Sequence, residues 1–250
     1  MKKKTTGWLG HIAELRARIL WIVGIFLAAA IVAFFFSAPV VAYLIAPAKV
    51  SLVFVRPGEA FWVYFQVSVA MAFVVSVPVL LYQFLAFIFP GLTPSERKWV
   101  WWSLFPVIGL FVGGVLFAYF VLVPMIYSFF MSFGSDLLKP MISVAAYISF
   151  VTGLVIPFGV VFELPVLVAL LSGLGLVTPM FLAKYRKYAI LIIFIVAAFL
   201  TPGTDPISQT VMALPLIGLY EVSVGVAKII YRKKQKAKAR REAEAAAAEA

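Results

Sequence analysis

The chain has no cysteine and a single histidine, His11, in 250 residues. The first absence excludes a disulfide framework, thiolate metal ligation and cysteine nucleophiles, and the second leaves no imidazole cluster to hold a metal. Charge is scarce too: 12% of residues are charged, against roughly 25% in an ordinary globular chain. Hydrophobic residues take the space, at 64% with a mean hydropathy of +1.09. No single core can bury that much apolar surface, so the composition predicts an all-α polytopic membrane protein rather than a soluble domain. The net charge of +11 would suggest nucleic acid in a soluble protein. Here it is a matter of membrane topology, and no nucleic-acid partner is expected.

A bilayer core about 30 Å thick needs about 20 apolar residues per helix, and open backbone cannot face lipid. Uninterrupted apolar runs predict spans at 19–36, 60–89, 99–123, 147–171 and 207–226, with a shorter run at 188–200. The fourth run contains Pro157, Glu163 and Pro165, and the last contains Pro215 and Glu221. The run at 188–200 is thirteen residues, only about 20 Å at ~1.5 Å each. It is a short span in a thinned bilayer or no span at all.

Charge decides between these. With six spans the segments 1–18, 90–98, 172–187 and 227–250 share one side and hold eighteen of the 21 Lys and Arg residues. The other side holds three: Lys49, Arg56 and Lys139. The positive-inside rule then places both termini in the cytoplasm. Five spans would force the basic tail outside. The Met-Lys-Lys-Lys start resembles a secretory signal, but the apolar run after it is long and preceded by Glu14-Leu15-Arg16-Ala17-Arg18, so it is expected to remain as an uncleaved first span. Residues 1–230 form the membrane domain. Residues 231–250, basic and then Ala/Glu-rich, are a flexible cytoplasmic tail, a frayed helix attracted to anionic membrane lipid. No internal repeat relates the halves, which argues against an inverted-repeat transporter.

Polar groups in or beside spans are expensive and are candidates for function. Trp8, Leu9, Ile12, Leu15 and Ile19 recur at helical spacing opposite His11, Glu14 and Arg18, an amphipathic helix on the inner surface. Glu14 and Arg18 are also an i,i+4 pair. Thr93 with Glu96 forms a capping box, with Pro94 at the first helical position. Glu96, the one acid of that loop, also suits bidentate recognition of a guanidinium. Glu163 lies mid-span, where a carboxylate costs about 2.5–3.5 kcal/mol on insertion scales; Gln83 is a conceivable partner. Asp205 and Gln209 share one face at the start of the last span, positioned as helix-start chemistry or as a polar surface for another helix. No nucleotide loop, HExxH or Ser/His/Asp arrangement points to an enzyme.

These residues also carry a family resemblance. His11-Ile12-Ala13-Glu14-Leu15-Arg16-Ala17-Arg18 resembles the HLxELRxR element of TatC, the large polytopic subunit of the twin-arginine protein translocase. Pro78 to Phe84, then Phe87-Ile88-Phe89-Pro90-Gly91-Leu92 and Glu96-Arg97-Lys98, resemble that family's second span and first cytoplasmic loop. Phe117-Ala118-Tyr119-Phe120 with Pro124, Tyr147-Ile148-Ser149-Phe150 and Phe162-Glu163-Leu164-Pro165-Val166 resemble its third and fourth spans. Leu200-Thr201-Pro202, Asp205, Ser208-Gln209 and Ala213-Leu214-Pro215 resemble the last two.

The resemblance implies a receptor, not an enzyme, with no cofactor. The implied fold is a glove-shaped concave bundle of six helices with short fifth and sixth members, in the cell inner membrane. It implies binding of the twin-arginine signal peptides of folded proteins at the cytoplasmic face, recruitment of the single-span subunits TatA and TatB, further copies of the large subunit, and export driven by the proton-motive force. By position, Glu96 pairs with the signal arginines, assisted by Glu14, Arg16 and Phe87. Glu163, with Gln83, is the polar site of the concave face, and Gln209 with Asp205 docks a partner helix. The alternative from residues alone is a proton-coupled small-molecule transporter working through Glu163.

Overall fold

The computed structural model describes the backbone of residues 8–48, 52–88, 94–133, 141–201 and 205–248; the side chains of 8–12, 14 and 84–104, with a few in the C-terminal tail, fall outside the description. Those residues are helical almost throughout. The order is α1 (Trp8–Phe35), α2 (Ser37–Ile45) with a 3-10 turn (Ala46–Ala48), α3 (Glu59–Ile88) and α4 (Pro94–Phe117). A π turn (Ala118–Leu122) leads into α5 (Val123–Met131), followed by α6 (Val144–Val161), α7 (Leu164–Leu174), α8 (Pro179–Lys184), α9 (Arg186–Leu200) and α10 (Pro206–Ala248).

Five stretches are long and apolar enough to cross a membrane: Leu15–Phe35, Glu59–Gln83, Phe105–Met131, Val144–Leu174 and Pro206–Glu244. Their apolar side chains are largely unburied; Trp21, Phe35 and Phe105 are all more than two-thirds exposed. A soluble protein could not leave such a surface to water. This is a multi-pass membrane protein.

The boundaries differ from the sequence expectations in physically readable ways. The third stretch runs on to Met131, past the limit expected at 123, because the π turn shifts the hydrogen-bond pattern and Pro124 falls in the first turn of α5, where its missing N–H costs nothing. The fourth breaks after Val161, and α7 starts at Leu164 with Pro165 in its first turn. Residues 37–45, expected as loop, form α2. α9 is short as expected, at 15 residues, but α10 is not: it has 43. After residue 231 the chain is Lys, Arg, Gln, Ala and Glu, all strong helix formers, and the helix simply continues.

Packing divides the chain into two compact units, residues 1–109 with 119–156, and residues 110–118 with 157–250. In the first, α1 packs antiparallel along α3: Arg18 meets Gln83 at one end, and the rings of Phe34 and Phe61 lie 6.1 Å apart at the other. Val63, Val67, Leu122, Ile126, Tyr147, Ile148 and Leu154 are buried in this unit. Tyr43 and Tyr119 stack at 5.2 Å, and the Tyr119 hydroxyl donates to the Tyr43 carbonyl at 2.7 Å.

Two interhelical segments of this unit are fastened together. Val53 and Ser143 form a parallel bridge, with Val53 N–H donating to the Ile142 carbonyl at 3.2 Å and Val144 N–H to the Val53 carbonyl at 3.1 Å. Gly58, at φ +79° where other residues are strained, turns the chain into α3. Glu59 then accepts three backbone hydrogen bonds: Val55 at 2.8 Å, Arg56 at 3.1 Å, and Ala145, at the start of α6, at 3.0 Å. One buried carboxylate therefore ties the segment that leads into α3 to the first turn of α6, whose N–H groups have no partner within their own helix.

In the second unit α10 packs against α7, α8 and α9 around Met212, Ala213, Leu216, Val224 and Ala227. Gly175, at φ +83°, closes α7, and the Thr178 hydroxyl caps α8 by accepting from Phe181 N–H at 3.2 Å.

The Glu59 staple makes a graded prediction. Glu59→Ala, which strands three N–H donors, should lower the thermal unfolding midpoint in detergent, and Glu59→Gln, which keeps one acceptor oxygen, should lower it less. Introducing Val53→Cys with Ser143→Cys into this cysteine-free chain reads the same staple directly: oxidation should cross-link the pair, and Glu59→Ala should slow the cross-link.

Candidate functional site

At one end of the α1/α3 pair, Arg18 Nη1 donates to Gln83 Oε1 at 3.1 Å and lies 3.5 Å from the Gln83 carbonyl. Gln83 is near the C-terminal end of α3, where a cation is favoured. Glu14 stands one helical turn before Arg18 on α1, and Arg16 between them is exposed. Phe87 falls in the last turn of α3 and Glu96 in the first turn of α4, which opens on Pro94 as its sequence predicts. The side chains of Glu14, Phe87 and Glu96 lie outside the described residues, as does Thr93 of the capping box. Gln83, considered above as a partner for Glu163, is engaged by Arg18 in the first unit, whereas Glu163 belongs to the second.

Glu163 sits at the break between α6 and α7. Its N–H donates to the Val160 carbonyl at 3.1 Å and its carbonyl accepts from Leu167 at 2.9 Å, so the backbone turns without losing its bonds. The side chain is 8% exposed, and neither carboxylate oxygen has a hydrogen-bond partner among the described residues. Just before the break, α4 and α6 cross at two glycines. A Cβ on Gly114 would come within 2.7 Å of the Phe158 carbonyl and 2.8 Å of Phe162 Cβ. A Cβ on Gly159 would lie 2.7 Å from the Phe111 ring. Phe117 packs on Phe158 and Phe162 at centroid distances of 6.4 and 5.6 Å. The missing side chains let the backbones close up, and this aromatic layer fixes the turn that carries Glu163. An ionised carboxylate with no donor is costly in such a place; a proton or an incoming donor balances it.

Asp205 does what a helix-start acid should do: its Oδ2 accepts from Ser208 N–H at 2.7 Å, capping α10. Its Oδ1 is buried with no partner among the described residues. Gln209 Nε2 donates to the Phe194 carbonyl of α9 at 2.8 Å. At the other end of α9, Arg186 forms a bidentate pair with Glu221 at 2.8 and 3.0 Å, and the Tyr220 hydroxyl donates to the Leu182 carbonyl at 2.6 Å. The short α9 is thus pinned to α10 at Phe194 and at its N-terminal Arg186, and Glu221, noted above within the last apolar run, is one of the pins.

Two polar groups went unnoticed in the sequence. Glu59 was assigned to a loop. Gln66, with Gln83 one of the two amides in the second apolar run, joins Ser149 and Thr152 of α6. The signal was present in each case, a polar residue at the edge or inside an apolar run, but its partner is 83 or more residues away.

The fold and these groups define a multi-pass α-helical membrane protein whose few polar side chains sit at helix ends, breaks and crossings. Comparison with known proteins narrows that class. The family model for Sec-independent protein translocase protein (TatC) matches residues 10–215. A TatC from Carboxydothermus hydrogenoformans is 45% identical over 73% of this chain and 75% of its own length. TatCy from Bacillus subtilis is 38% identical over 96% and 95%. A crystal structure of a twin-arginine translocase receptor TatC superposes with a TM-score of 0.80 at 38% identity, covering 88% of this chain and 99% of the other. The chain belongs to the TatC family of Sec-independent protein translocase proteins.

The glycine crossing beside Glu163 yields a ranked expectation. Gly114→Ala, which drives a methyl into a carbonyl, should destabilise by about 1–3 kcal/mol. Gly159→Ala, which meets the rim of a ring, should cost less. Gly113→Ala, with nothing within 4 Å, should be neutral or stabilising, since Ala is the better helix former. Thermal midpoints in detergent give the order.

Proposed function

We propose that this chain is the signal-peptide receptor and core subunit of a twin-arginine translocase. It binds the twin-arginine signal peptides of folded proteins at the cytoplasmic face, recruits single-span TatA and TatB subunits and further copies of itself, and supports export driven by the proton-motive force. In this reading it makes six passes through the cell inner membrane, with α9 as the short fifth, and keeps both termini in the cytoplasm. The observation that carries the reading is the likeness to the solved twin-arginine translocase receptor over nearly all of that chain's length.

The residues are compatible with the chemistry. A receptor for two arginines needs carboxylates on an otherwise basic face, and Glu14 and Glu96 are the acids of the basic side that precede Glu221. Arginine offers a planar fork of donors and lysine a compact point charge, so carboxylates can tell them apart. Arg18, held by Gln83, steadies the helical turn that bears Glu14. Glu163 supplies an intramembrane polar site, and Gln209 and Asp205 a docking surface for a partner helix. Family membership does not favour the small-molecule transporter.

Binding of a twin-arginine signal peptide to the purified protein in nanodiscs tests the assignment. A twin-lysine peptide and the Glu96→Gln protein should each bind about tenfold more weakly, or worse, the loss expected when a charge-assisted pair worth about 1.5–3 kcal/mol is removed. Equal binding in all three combinations would mean that the peptide merely partitions into an apolar surface, and would remove Glu96 from the site.

A further inference from the structure

The elbow between α8 and α9 carries charge and apolar surface that none of the roles above uses. α10 sets its height: the Tyr220 hydroxyl donates to the Leu182 carbonyl at 2.6 Å, and Glu221 holds Arg186. Residues 182–186 are therefore level with the last two turns of the apolar run 207–226, where a spanning helix passes from hydrocarbon into the headgroup layer.

Lys184 ends α8 and Lys187 lies in the first turn of α9. Both are exposed, and neither forms an ion pair among the described residues. The acid that α10 brings to the elbow is already spent, because Arg186 engages both oxygens of Glu221 at 2.8 and 3.0 Å. That pair is balanced and the two lysines are not. Lys184 Nζ stands 5.7 Å from the centroid of the Tyr185 ring and Lys187 Nζ 5.1 Å from that of Tyr188, within the range of cation–π attraction. The two rings are 6.0 Å apart, and Tyr185 lies 4.6 Å from Phe181. The strip Phe181, Tyr185, Tyr188 is exposed, and Leu191 and Ile192 carry the exposed apolar face one turn further along α9.

An occupant has to suit both halves of this surface. Two uncompensated ammoniums, each with three N–H donors, call for an acceptor that bears negative charge. A soluble anion meets the lysines and leaves the rings uncovered. A zwitterionic lipid covers the rings but brings a cation of its own beside the lysines. An anionic phospholipid suits both, and basic pockets and aromatic rings at this level of a membrane are where such headgroups bind. The elbow differs in this from the tail, where residues 232–250 hold seven Lys and Arg but no aromatic ring. We propose that the α8–α9 elbow is a binding site for one anionic phospholipid, with its phosphate on Lys184 and Lys187 and its glycerol and first methylenes on the Phe181–Tyr185–Tyr188 strip.

The test is read without a signal peptide, so it does not depend on the receptor reading. The full chain in detergent is titrated with phosphatidylglycerol or with phosphatidylcholine of the same acyl chains, and native mass spectrometry counts the lipids retained. The first phosphatidylglycerol should bind about twentyfold more tightly than phosphatidylcholine. Lys184→Gln and Lys187→Gln should each cut that preference about fivefold, the effect of one lysine beside an anionic membrane surface. Lys233→Gln combined with Lys236→Gln removes as much charge from the tail and should leave the preference unchanged. A preference that survives loss of both elbow lysines would overturn the proposal. So would an equal fall in the tail variant, which would mean that net charge alone attracts the lipid. Displacement of the lipid by glycerol 3-phosphate at equal concentration would overturn it as well, since the lysines would then be a site for free phosphate.

Discussion

A hydrogen-bonding group in hydrocarbon has no solvent to fall back on, and the structure is organised around that constraint. Helices settle the backbone, because each N–H finds a carbonyl within its own segment. What remains are the exceptions: helix ends, breaks, and the few polar side chains that an apolar chain retains. Nearly every notable contact in this protein is the repair of one such exception. Glu59 ties the segment that leads into α3 to the first turn of α6, Asp205 caps α10, and Gln209 reaches the Phe194 carbonyl of α9. These bonds lie where water is scarce and few competitors exist, so they locate helices more sharply than apolar packing could. Apolar packing between helices has little driving force when lipid tails are just as apolar.

The same reasoning explains why helix breaks and glycines occur together. The turn at Phe162–Glu163 interrupts the fourth apolar stretch, and the crossing at Gly114 and Gly159 lies within a turn or two of it. A break weakens a membrane helix unless a neighbour supports it, and the closest support is a helix whose backbone approaches without an intervening side chain. Phe111, Phe117, Phe158 and Phe162 then close the space around the contact. A carboxylic acid at such a break has a fixed position even though neither of its oxygens is held by a hydrogen bond.

Much of the fold was legible because length and hydropathy act locally. Pro94 opens α4, Pro165 falls in the first turn after the break, and α9 is short because its apolar run is short. The misreading was local as well: the third span was ended at 123, before Pro124, whereas a π turn lets the helix pass it. The candidate site was read in a different way. The cost of polar groups in or beside spans, and then motif resemblance, singled out Glu14, Glu96 and Glu163, but nothing in the sequence pairs Arg18 with Gln83 at a separation of 65, or Gln66 with Thr152 at 86. Those pairings follow from the antiparallel course of α1 along α3 and from the packing of α3 beside α6, neither of which leaves a periodic trace.

The pairings leave a remainder. Among the described residues Arg18 is paired with Gln83, Gln66 with Ser149 and Thr152, Gln209 with Phe194, and Arg186 with Glu221. The buried groups left without a partner are of both kinds: both oxygens of Glu163 and one of Asp205, which can only accept while ionised, and the hydroxyls of Ser76, Tyr127, Tyr147, Ser172 and Ser208, which can donate. The carboxylates are balanced by a proton, or by a visitor rich in N–H groups. Arginine side chains, which only donate, are such visitors, and so is a membrane helix bearing an amide. Such acceptors are selective only on helices whose own positions are already fixed, as the Gly114 and Gly159 crossing fixes the turn that carries Glu163.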